Sequence, residues 1–163
     1  VRDAQAMRNT FSLVPPYLRD SAALPWFSEF GIEQTRGFWA LKLWMMLQQI
    51  GANGYRELIT QNVALARALQ ARIKGGSDFE LVAAGPLSVT CFRYAPRGVS
   101  DLDARNRRLL EIVQREGQVF LTGTELGGQF VLRACIINFR TTQADLDQLL
   151  AVLVEAGEKV LKK

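Results

Sequence analysis

The apolar residues of this chain change their period along its length, and that change limits the possible folds more than any single motif does. Phe38, Leu41, Trp44, Met45 and Leu47 recur at spacings of three and four, the stripe of an amphipathic helix beginning near Thr35. Gly51 and Gly54 are expected to end it. A second stripe through Tyr55, Leu58, Ile59, Val63, Ala66, Leu69 and Ile73 predicts another helix, stopped by Gly75-Gly76. From Phe79 the text turns short, β-branched and aromatic, with FELVA and then LSVTCFRY after Gly85-Pro86, which reads as two strands. The helical period returns from Ser100 or Asp101, either able to cap, and runs to Glu116 with Leu102, Leu109, Ile112 and Val113 inward; Gly117 closes it. QVFLTGTE and GQFVLRACII give two more strands, joined at the hairpin signal Gly127-Gly128. A last helix from Thr141 or Thr142 carries Leu146, Leu149, Leu150, Leu153, Val154 and Val160, with Lys159, Lys162 and Lys163 complementing its C-terminal dipole.

This order predicts an α+β fold, a small antiparallel sheet with helices packed on one face, preceded by a loop arm and a long helix. Residues 1–34 hold three of the five prolines and little periodicity, so they are expected to be mostly loop. The expected organisation is therefore an arm and linker over 1–34 and an α+β domain over 35–163. The first residue is Val1 and the first methionine Met7, which suggests a piece of a longer polypeptide.

The longest apolar stretch, around Phe38 to Leu47, is broken by Lys42 and falls short of the roughly 20 residues of a membrane span, so no membrane partner is expected. Net charge is +4. The densest basic group, Arg105, Arg107 and Arg108, sits among Asp101, Asp103 and Glu111 with no aromatic residue interleaved, so it reads as a solvated helix face and not as a nucleic-acid surface. Cys91 and Cys135 each lie in an apolar run and are expected to be two buried thiols, which fits a cytoplasmic protein.

Several chemistries are closed to these residues. The chain has no histidine, which removes Ser-His-Asp and Cys-His arrangements and the commonest metal ligand. With two separated cysteines a zinc site is excluded and no metal is expected. There is no GxxxxGK[ST] or GxGxxG loop, and GTELGG reads as a hairpin. Asp101 with Asp103, and Asp145 with Asp147, stand at helix starts where the dipole accounts for them. Periodicity and composition alone stop at an α+β domain.

FSLVPPYLRD at 11–20, EQTRGFWALKLW at 33–44, GPLSVTCFRY at 85–94 and QFVLRACIINFRTTQADLDQLL at 129–150 together resemble the group II decarboxylases that depend on pyridoxal 5'-phosphate (PLP), most closely the aromatic-L-amino-acid branch. The resemblance implies the C-terminal portion of a fold-type-I enzyme, a homodimer whose small-molecule substrate is an L-amino acid, released as its amine and CO2. It places the cofactor-anchoring lysine upstream of Val1. None of Lys42, Lys74, Lys159, Lys162 or Lys163 follows a histidine, so this piece alone is expected to be inactive and to bind no PLP. The resemblance makes Tyr17 of PPYL the catalytic residue, a phenol on a mobile loop that returns a proton to the α carbon after CO2 leaves. Family members with phenylalanine there tend toward oxidative aldehyde formation. Arg36 of EQTRG matches an arginine near the cofactor phosphate, although Gly37 stands where a second arginine is common. Arg133 falls where related folds clamp the substrate carboxylate; a decarboxylase would lose by such ground-state stabilisation, so packing at a domain interface is expected instead. The alternative is a stand-alone, non-catalytic regulatory or small-ligand module.

Overall fold

A computed structural model describes residues 2–14, 26–33 and 37–162. The chain divides into two compact units, residues 1–49 and 50–163.

In the first unit, helix α1 (Ala4–Phe11) stands in the segment expected to be loop. Its start is set by Asp3, whose carboxylate accepts from the Gln5 and Ala6 N–H groups at 2.9 and 3.0 Å and so satisfies two of the donors a helix start leaves open. A single 3-10 turn follows at Phe27–Phe30. Helix α2 (Trp39–Gly75) begins later than the periodicity suggested and passes from the first unit into the second. Gly51 interrupts it with φ 70° and ψ 169°, a backbone open to glycine and strained for other residues. The sequence reading of two helices is thus right at Gly51, whereas Gly54 lies within helix and ends nothing.

The second unit holds the sheet, with β1 (Phe79–Ala84), β2 (Val89–Tyr94), α3 (Leu102–Glu116), β3 (Thr122–Leu126), β4 (Gln129–Cys135) and α4 (Gln143–Leu161) in chain order. The strands lie in the order β1-β2-β4-β3 and every neighbouring pair is antiparallel. The α+β expectation holds, and β4 is inserted between β2 and β3. Gly127 and Gly128, with φ 57° and 78°, make the two-residue turn of the β3–β4 hairpin, where both central positions need positive φ.

Register decides which side chains reach the core. Phe92 pairs with Leu132 and Thr90 with Ala134, while Leu81 stands across from Phe92, so these residues share one face. On that face Phe92 and Leu132 pack with Leu69 and Ile73 of α2, Leu109 and Val113 of α3, and Leu146 and Leu153 of α4. The period of two sends Cys91, Arg93, Val131, Arg133 and Cys135 to the other face. Cys135 is exposed there, which corrects the expectation of two buried thiols; only Cys91 is buried.

Two caps separate what sequence could and could not anticipate. Thr142 begins α4 with a capping box, its hydroxyl accepting from the Asp145 N–H while the Asp145 carboxylate accepts from the Thr142 N–H at 2.7 Å. Asp101 occupies the N-cap position of α3 but has left-handed backbone (φ 55°), and its side chain makes no cap hydrogen bond. The working carboxylate is Asp103, which accepts from Arg93 at 2.6 Å and from the Phe130 N–H at 3.1 Å, tying α3 to β2 and β4.

Candidate functional site

Tyr17 and Arg36 lie outside the described residues. What the structure shows is how the residues flanking Tyr17 are held. Arg8 of α1 forms an ion pair with Glu29 of the 3-10 turn, and the Ser12 hydroxyl donates to the same carboxylate at 3.2 Å. Glu29 is buried. Its carboxyl is held below the usual carboxylate range, first by the hydrogen bond from Arg8, against an opposing push from burial. Segment 15–25, which contains Tyr17, is therefore bracketed by stems pinned to each other at Ser12 and Glu29. Sequence reading missed this clamp, because two opposite charges 21 positions apart carry no periodic signature.

Beyond Arg36, Gly37 faces the indole of Trp39: a Cβ added at Gly37 would stand 3.0 Å from the Trp39 Nε1. A larger residue there would displace the ring, which in turn lies under the Lys42 ammonium, 4.7 Å from its centroid. The following turns of α2, up to Leu47, are apolar apart from Lys42, and they are exposed. Phe38 and Trp39 are 72% and 75% accessible, and Trp44 and Met45 are both 58% accessible.

The lysines are poorly suited to carbonyl chemistry. A Schiff-base nucleophile needs a neutral amine, which proteins obtain by burial or by a neighbouring positive charge. Lys159 is the reverse case: hydrogen bonds to Glu116 and then to Glu155 push its pKa up and keep it charged. Lys162 pairs with Glu158, Lys74 is exposed, and Lys42 sits on Trp39. Lys163 lies outside the described residues. The described residues thus do not fit the role of holding PLP covalently. Among them no group of three or more His, Cys, Asp and Glu side chains could hold a metal ion.

Arg133 is exposed on the sheet face turned away from the helices, its Nε donating to the Thr122 hydroxyl at 3.2 Å across the β3–β4 pair. Two residues before it in β4, Val131 is buried on the same face, and Arg93 of β2 is buried there too. This face is the polar one, and it presents guanidinium, thiol and hydroxyl groups where the helix-covered face presents only core.

The pyridoxal-dependent decarboxylase conserved domain matches residues 1–95. The chain belongs to that family. It is 31% identical to the aromatic-L-amino-acid decarboxylase of Bacillus atrophaeus in an alignment taking in 98% of this chain and 35% of that protein. It is 28% identical to the phenylacetaldehyde synthase of Arabidopsis thaliana over 100% of this chain and 34% of that protein. Among solved structures it is similar to the Oryza sativa TDC with PLP and tryptamine, at 25% identity and a TM-score of 0.77, covering 98% of this chain and 34% of that one. The chain spans about a third of the length of these family relatives. Among the described residues, no helix is long and apolar enough to cross a membrane.

Proposed function

We propose that this chain is the C-terminal part of a PLP-dependent decarboxylase that converts an aromatic L-amino acid to its amine and CO2. One observation carries the reading: nearly the whole chain, 98% of it, aligns with an aromatic-L-amino-acid decarboxylase. When bound to the whole enzyme, PLP supplies the electron sink for loss of CO2. The role assigned to this chain is narrower. Tyr17 delivers its phenolic proton to the α carbon once CO2 has gone, and the Arg8–Glu29 clamp fixes the two ends of the segment that carries it. Arg36, three residues before α2 in the sequence, contributes positive charge toward the cofactor phosphate. Arg133 packs at a domain interface and does not hold the substrate carboxylate; its place on the open sheet face supports this.

The parent enzyme works as a homodimer in the cytoplasm. The exposed apolar side chains of α2 from Trp39 to Leu47 support the dimer, since so large an apolar surface is ordinarily covered.

The similarity to a phenylacetaldehyde synthase makes product identity the deciding measurement. The longest product of the gene should show PLP absorbance, release CO2 from aromatic amino acids and yield the amine. Aldehyde with hydrogen peroxide in place of amine would overturn the decarboxylase assignment. A gene product limited to these residues, with no PLP absorbance, would leave the non-catalytic module as the reading.

A further inference from the structure

Cys91 and Cys135 are placed as a pair by the β2–β4 register. Cys91 stands opposite Arg133, and Cys135 opposite Val89, so the two thiols occupy diagonal positions on the same face of adjacent strands. Diagonal neighbours in an antiparallel pair have Cα atoms about 7–8 Å apart and Cβ atoms somewhat closer. The Cys91 thiol is pushed up by burial, pulled down by Arg133 and pushed up again by Cys135, so each of these groups acts on it. A direct disulfide favours Cα separations of about 4.4–6.8 Å, shorter than diagonal positions supply. One atom inserted between the sulfurs relieves that mismatch.

Access is one-sided. Cys135 is exposed and lines an open groove of about 370 Å³ with Phe120, Leu121, Ile137 and Leu149, whereas Cys91 is buried. A ligand would meet Cys135 first and Cys91 second. The exposed Phe120 and Ile137 beside Cys135 suit an apolar substituent on that ligand.

We propose that Cys91 and Cys135 together form a dithiol acceptor for one soft, thiophilic group with two exchangeable positions, a monosubstituted trivalent arsenical carrying an apolar substituent. Thiolate sulfur is the soft donor that selects such centres. With phenylarsine oxide as reagent, two S–H bonds and the As–O double bond break and two As–S bonds form. Both thiol protons leave with the oxygen as one water, and arsenic stays trivalent. The inference does not depend on the decarboxylase reading, because it uses only β2 and β4.

The test is titration of the folded chain with phenylarsine oxide, read by native mass and free-thiol count. One arsenical per chain should bind and both thiols should disappear together. Closing the second bond within one molecule should make the adduct resist exchange with glutathione on the order of 100-fold better than in Cys135→Ser. Cys135 is exposed, so that variant should fold, which circular dichroism checks. One thiol remaining free after the first equivalent, or parent and Cys135→Ser adducts exchanging equally fast, would overturn the proposal.

Discussion

Asn106 of α3 pairs with the backbone of Tyr94 as a strand would, its Oδ1 accepting from the Tyr94 N–H and its Nδ2 donating to the Tyr94 carbonyl, both at 2.9 Å. The side chain is fully buried and also donates to the Leu102 carbonyl at 2.8 Å. It thereby satisfies both backbone groups of the last residue of β2 and locks α3 to the sheet.

Replacing Asn106 with leucine leaves a donor and an acceptor of Tyr94 buried and unpaired. Each such group costs about 1–3 kcal/mol. Urea denaturation should show Asn106→Leu losing stability of that order. Equal stability of leucine and parent would mean that the pair with Tyr94 contributes nothing.

Gly157 of α4 sits against the Tyr94 ring, whose Cε1 would lie 2.3 Å from an added Cβ. In an open helix, glycine to alanine gains roughly 1 kcal/mol. Here overpacking should reverse the sign, so Gly157→Ala is expected to destabilise by about 1–3 kcal/mol. Thermal melts of Gly157→Ala decide between the two, and a raised Tm would show that Tyr94 moves aside freely.

The Arg8–Glu29 clamp should open in acid. Because Arg8 holds the Glu29 carboxyl below its ordinary value, the folded state gives up that proton more readily than the unfolded chain. The stabilisation is present above the unfolded value of about 4 and disappears as pH falls through the lower, folded value. Amide exchange at Ser12 and Glu29, taken relative to the unprotected rate at each pH, should quicken across that acid window in the parent. In Glu29→Gln it should already be fast at pH 7 and lack this step, and a variant indistinguishable from parent would refute the clamp.

In the full-length enzyme, Tyr17→Phe should abolish amine release while leaving PLP absorbance intact. The substitution removes only the phenolic hydroxyl, so cofactor binding is not expected to suffer. Normal amine yield would remove Tyr17 from the mechanism.

The sheet, its hairpins and three of its helices were legible because each rests on local rules. Gly127-Gly128 demanded a turn, Thr141-Thr142 marked a helix start, and the spacing of Ala66, Leu69 and Ile73 a helix stripe. Cys135 was misjudged because an apolar run does not say how a strand residue is covered: Cys91 shares its face and is buried, whereas Cys135 is the last residue of β4 and is exposed. Helix α1 was missed because it is short and none of its residues is buried, leaving the Asp3 cap as the local signal. Asp103, Asn106 and Glu29 act on partners remote in sequence, so composition and period could not mark them.

The order β1-β2-β4-β3 also has a kinetic consequence. The outer pairings are hairpins between neighbours in sequence, which close in microseconds. The central β2–β4 pairing must wait until α3 has carried the second hairpin back beside the first, so its loop-closure entropy sets the barrier. Truncating Leu132 in β4 and truncating Phe79 in β1 should therefore both slow refolding, because both pairings are in place at that barrier. Stopped-flow chevrons on the two variants would show the middle seam of the sheet to be the last step in its assembly.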